Sequence, residues 1–191
     1  MLLFLLACGL AVTLGLMNFV NLAHGAFAMA GGYLTAVLSN RYGVPFLASL
    51  PLAFVFAAAL GAILEPTLYR SLYRRPHLDQ VLFSIGLVFM AVASVDYFFG
   101  AQQQFVRLPA FLKSRFEIAG VGIGSYRLFI IVVCGVLTIA LQWTLSHTRF
   151  GSRLRAAVDD PRVASGLGID VDRIFLATFA VGSGLAGLGG A

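Results

Sequence analysis

Residues 1–40 pass without one charged side chain, and four later stretches, 46–64, 81–99, 128–146 and 174–191, are nearly as bare, Asp96 being their single acid. Each of the four is 18 or 19 residues long. A helix crosses the hydrocarbon core of a bilayer in about 20 residues. Only a helix or a closed barrel satisfies its backbone groups there, and runs this long and uniformly apolar suit helices. Only 11% of the chain is charged, against about a quarter in a water-soluble domain. A soluble globule, a disordered chain and a long soluble helix are all excluded. The expected fold class is an all-α polytopic membrane protein, a bundle of about six transmembrane helices. Residues 1–40 supply either two crossings or one crossing and a broken segment.

The basic residues give the orientation. Loop 65–80 holds Arg70, Arg74 and Arg75, and loop 147–173 holds Arg149, Arg153, Arg155, Arg162 and Arg173. Two spans separate these loops, so they share a side. The other side carries Arg41, Arg107, Lys113, Arg115 and Arg127, and the bias of eight against five places loops 65–80 and 147–173 in the cytoplasm. The net charge of +5 is therefore a matter of topology, and nucleic acid is not an expected partner. Cys8 and Cys134 lie in separate apolar runs and form neither a disulfide framework nor a metal site. The outer loop 100–127 is too polar to span and takes either a short strand pair or an interfacial helix. Both ends of the chain are abruptly apolar, which leads to the expectation of a piece of a longer protein.

Small residues recur at every fourth position. Ala28, Gly32 and Ala36 form one such stripe, and Gly182, Ala186 and Gly190 form another beside Ser183, Gly187 and Ala191. In lipid, helices associate through close backbone approach, which such stripes allow. Gly32, Gly182, Ala186, Gly187 and Gly190 are thus expected at helix–helix contacts.

The first apolar region is interrupted by Asn18, Asn21 and His24, followed by Gly25. Read as a helix, Asn18, Asn21 and Gly25 share one face, and Gly25 lets the helix end and restart. Polar groups in hydrocarbon need partners or a wet cavity, and broken helices are frequent where transporters meet a polar substrate. Asn18, Asn21, His24 and Gly25 are therefore candidates for a translocation path or its inner gate. The alternative is a cytoplasmic turn in which Asn and His cap two helices.

Loop 147–173 has the clearest local grammar. A basic segment containing Gly151, Arg153 and Arg155 leaves the membrane and reaches Asp159-Asp160-Pro161. Asp160 suits an N-cap and Pro161 the first helical position. Residues 161–167 then form a helix of about two turns, Gly168 ends it in a left-handed cap, and Asp170 caps the next helix. A folded element in a connecting loop points to a docking surface for a cytoplasmic partner; basic residues resting on anionic lipid are the alternative.

These stretches together resemble the permease subunit of the ABC importers for branched-chain amino acids. The resemblance rests on Leu16-Met17-Asn18-Phe19-Val20-Asn21-Leu22-Ala23-His24-Gly25-Ala26-Phe27 with Gly31-Gly32-Tyr33-Leu34, and on Glu65-Pro66-Thr67-Leu68-Tyr69-Arg70 with Ser84-Ile85-Gly86. It continues in Phe150-Gly151-Ser152-Arg153-Leu154-Arg155-Ala156 through Asp160, Ala164, Gly168-Ile169 and Thr178-Phe179-Ala180. Residues 1–191 would then be a truncated inner-membrane permease domain, with family members extending beyond both ends, and Ala26 departs from the family's usual acid after His-Gly. The resemblance implies a multi-pass protein of a bacterial inner membrane that works with a second permease subunit, two cytoplasmic ATP-binding subunits and a periplasmic or extracellular solute-binding protein. It adds Ser84 to the path candidates. It also makes 147–173 the coupling loop, with Gly151, Arg153, Arg155, Asp159, Asp160, Ala164 and Gly168 as its ATPase-coupling residues. A permease for urea or short amides within the same family is the second reading. The chain carries no phosphate-binding Gly-x-x-x-x-Gly-Lys-Ser/Thr run. No catalytic, metal or cofactor constellation is expected. An intramembrane enzyme using His24 and Asp96 is disfavoured, because the two lie in different spans and lack a third group.

Overall fold

The computed structural model describes residues 2–17, 19, 21–73, 75–100, 106, 115–118 and 121–191. Among the described residues the regular elements are helical apart from one hairpin. Helix α1 (Leu2–Met17) is followed by α2 (His24–Arg41) and α3 (Phe46–Leu64). A π turn (Glu65–Tyr69) and a 3-10 turn (Arg70–Leu72) lead to α4 (His77–Phe99). Strands β1 (Arg115–Ile118) and β2 (Val121–Gly124) pair antiparallel, Arg115 opposite Gly124 and Ile118 opposite Val121, so the described part of the outer loop is a strand pair. Then come α5 (Ser125–His147), α6 (Arg149–Asp159), α7 (Pro161–Gly166) and α8 (Val171–Gly190).

Among the described residues, four helical stretches are long and apolar enough to cross a membrane: Phe46–Leu72, His77–Phe99, Ser125–His147 and Val171–Gly190. With α1 and α2 they make a six-helix bundle. The helices run about one turn past the apolar stretches that announce them, because polar residues at span ends remain helical. His77 and Asp79, for example, lie in the first turn of α4.

Helix α8 is the axis of the bundle and packs against α1, α2 and α3. Half of its apolar window is buried within the protein, against 6% for α4 and for α5, which sit at the periphery. Glycine permits this central position. A Cβ on Gly187 would overlap that of Ala57 in α3, one on Gly190 the Ala28 carbonyl of α2, and one on Gly31 the Gly187 carbonyl. Gly32 faces the Gly190 carbonyl, and Gly182 faces Thr13 and Gly9 of α1. The Gly182–Gly190 stripe thus serves two helices in succession, while Ser183 and Gly187 face α3, where Ser183 lies against Gly61. Ala186 is fully buried.

Two apolar cores result. One joins Phe19, Phe27, Ala28, Tyr69, Phe179 and Ala186. The other is small and separate: Leu154, Ala157, Ala164 and Ile174, with Leu145, Phe150 and Val158 packed on it. It makes α6, α7 and the start of α8 a folded unit. The segment after Gly151, expected only as a basic exit from the membrane, is therefore a helix with a buried apolar face.

Candidate functional site

The polar groups of the bundle gather where α1 ends and α2 begins. The expectation of one helical face through Asn18, Asn21 and Gly25 fails, because Phe19 and residues 21–23 are not helical. Asn18 itself lies outside the described residues. The break falls before Gly25, which sits in the first turn of α2 where a Cβ would meet nothing. Its smallness is not what lets the helix restart.

The stretch ahead of α2 is held by Asn21. Its Oδ1 accepts the Ala23 N–H at 3.0 Å, and Ser84 Oγ of α4 accepts the Leu22 N–H at 3.2 Å. Two backbone donors ahead of α2 are thereby satisfied by side chains. Neither Asn21 nor His24 caps α2, whose N-cap is Ala23 with no side-chain cap hydrogen bond. His24 is buried against α1, so close that a Cβ on Gly9 would come within 2.6 Å of its Nε2, and neither ring nitrogen makes a hydrogen bond of good geometry. The Asn21 amide nitrogen is likewise buried without a partner. Asp96 lies exposed in the last turn of α4, at the opposite end of the bundle from His24.

Four residues that were not site candidates, Glu65, Tyr69, Arg70 and Tyr73, complete the cluster. Pro66 carries no N–H and cannot close the α-helical bond, and the chain widens there into the π turn. That turn brings residues five apart together. Arg70 reaches back to Glu65 with Nη2 at 3.1 Å from Oε2 and Nε at 3.5 Å from Oε1, and the Glu65 side chain is fully buried. Tyr69, also fully buried, donates its hydroxyl to Asn21 Oδ1 at 3.3 Å. Tyr73 follows in the same aromatic layer, its ring edge-on to Phe19 at 5.3 Å. Burial, and then the nearby Glu65 carboxylate, push its phenol well above the ordinary range, so it stays neutral. The stretch from Glu65 to Arg70 entered the sequence reading only as part of the family resemblance, with no role assigned to its side chains. On an α-helix an i, i+5 pair does not meet.

The second candidate region is the α6–α7 unit. The Asp160 carboxylate caps α7, accepting the Arg162 and Val163 N–H groups at 2.9 and 3.1 Å. Gly168 adopts φ +81° and ends the segment, with the Ile169 N–H on the Ala164 carbonyl at 3.1 Å. Asp170 accepts the Arg173 N–H at the start of α8. Ala164 points inward, 1% exposed. Gly151 lies so close to the Leu145 carbonyl that a Cβ would overlap it, and Arg155 donates to that same carbonyl at the end of α5. Five of the seven candidates, Gly151, Arg155, Asp160, Ala164 and Gly168, thus build the element. Arg153 and Asp159 project from it, exposed. Val163 and Leu167, four apart and 60% and 75% exposed, were not among the candidates.

The two regions touch. Arg70 Nη1 lies 3.3 Å from Asp172 Oδ2 in the first turn of α8, which places loops 65–80 and 147–173 on one side of the bundle.

An apolar bundle with a polar cluster near one end and a folded element between two spans defines a polytopic membrane protein. The chain belongs to the family of permease components of branched-chain amino acid transport systems, whose model matches residues 1–191. It is 32% identical over 99% of its length to the "Probable branched-chain amino acid transport permease protein LivH" of Methanocaldococcus jannaschii, covering 61% of that protein. It is 26% identical over 97% of its length to LivH of Escherichia coli K12, a high-affinity branched-chain amino acid transport system permease protein, covering 64% of it. A 60-residue stretch is 40% identical to the E. coli permease protein LivM, covering 31% of this chain and 14% of that one. The chain therefore spans less than two thirds of the length of the LivH relatives. No solved structure gives a significant match.

Proposed function

We propose that this chain forms part of the translocation path of an ATP-driven importer for branched-chain amino acids and couples that path to a cytoplasmic ATPase. The observation that carries the reading is the α6–α7 unit. A loop of idle length needs no core of its own, yet this one buries Leu154, Ala157 and Ala164 and leaves Val163 and Leu167 in the open. An exposed apolar pair on a short capped helix suits insertion into a groove of another protein. Arg153, Asp159 and Arg162 around it would fix the orientation of docking.

On this reading Asn21, His24 and Ser84, with Tyr69, form the inner end of the path. The buried Asn21 amide nitrogen, left without a partner, is what a polar solute would engage. The LivM match supports a second permease subunit beside this one. ATP hydrolysis is assigned to two separate cytoplasmic subunits and solute capture to an outer binding protein, in a bacterial inner membrane.

The test is uptake. The full-length permease, assembled with its partner subunits in proteoliposomes, is expected to accumulate labelled leucine only when ATP is supplied on the side of α7. Valine is expected to compete and urea is not. Uptake without ATP, or competition by urea and not by valine, would contradict the proposal.

A further inference from the structure

We propose that Arg70 is a positioning residue linking the cytoplasmic docking unit to the chain break between α1 and α2, through an ion pair with Asp172 that opens and closes during transport while its pair with Glu65 stays shut. The inference rests on the permease reading and adds a route for coupling within this chain.

The geometry divides the guanidinium between two tasks. Nε and Nη2 face Glu65, whose side chain is fully buried; Nη1 faces Asp172, whose side chain is 67% exposed. The inner pair is held in a region of low dielectric, where a lone carboxylate is costly. The outer pair is screened by water and is cheap to separate. Opening is therefore confined to the Asp172 side.

Asp172 is well placed to report on the docking unit, since it stands two residues after Asp170, the cap that closes the loop onto α8. Asp172, Phe175 and Phe179 follow one another at i, i+3 and i+7 and so share a face of α8. That face meets the turns after α3 residue by residue. Asp172 meets Arg70, Phe175 meets Tyr73 with ring centroids 5.7 Å apart, and Phe179 meets Tyr69 at 4.6 Å. Tyr69 in turn donates to Asn21, which holds the Ala23 N–H ahead of α2. A rotation of the first turn of α8 thus bears on Tyr69 and Asn21 through packed rings as soon as the Asp172 contact lets go. Contiguity alone does not establish coupling, so the experiment reads coupling directly.

In the full-length permease reconstituted with its partners, ATP hydrolysed per leucine imported is measured for wild type, Asp172→Asn and Asp172→Glu. Asp172→Asn leaves the buried Glu65–Arg70 pair intact, so assembly and melting temperature should not move. Its ratio is expected to rise about five-fold or more, the lower end of ordinary site-to-site coupling, and Asp172→Glu is expected to bring it back near wild type. A wild-type ratio in Asp172→Asn would overturn the proposal, as would an equal rise in Asp172→Glu. Absence of ATP-driven uptake in wild type would instead overturn the permease reading, and the Arg70 proposal with it.

Discussion

Glu65 is the most demanding residue in the bundle. A carboxylate with no exposed surface survives because Arg70 spans both of its oxygens. Removing one partner of such a pair typically costs about 3–5 kcal/mol, whereas exchanging both for apolar groups is often neutral. Arg70→Ala is therefore expected to lower the melting temperature of the purified full-length protein sharply. The pair Glu65→Met with Arg70→Met should recover most of that loss. His24 is placed by different means, since Gly9 leaves the space its ring occupies. Neither relation is visible in a linear reading. Glu65 and Arg70 meet only because the helix widens at Pro66, and His24 and Gly9 belong to different helices.

At the scale of elements, α8 is set by its glycines and the α6–α7 unit by its caps. Gly187→Val would drive a branched side chain into Ala57 and the Ala53 carbonyl. Overpacking of this kind costs typically about 1–3 kcal/mol, and backbone on the facing helix cannot yield as a side chain would. The substitution is expected to reduce the folded yield in detergent, while Gly25→Ala, in open space, is expected to leave it unchanged. Equal yields from both would contradict the central placement of α8. The capped helix α7 was legible because its signals are local: Asp160 before Pro161, Gly168 after the last turn, Asp170 before the next helix. The spans were legible from hydropathy alone. Helix α6 was not, since its arginines drew attention away from the apolar spacing of Phe150, Leu154, Ala157 and Val158. The Tyr69–Asn21 and Arg70–Asp172 contacts join residues 48 and 102 positions apart, a relation that no local pattern encodes.

For the whole molecule the structure describes a bundle with two unlike ends. One carries the β1–β2 hairpin and the exposed Asp96. The other carries the polar break, the Arg70 pairs and the α6–α7 unit, which presents Val163 and Leu167 outward. The central claim is that this second end faces the cytoplasm and is covered by a separate ATPase subunit. It is tested most directly by placing a single cysteine at Leu167 of the full-length protein, with Cys8 and Cys134 replaced by alanine, and labelling it with a membrane-impermeant maleimide. Labelling is expected in inside-out vesicles only, and is expected to fall when the ATPase subunit is added back. Labelling in right-side-out vesicles, or labelling indifferent to the ATPase, would contradict the claim.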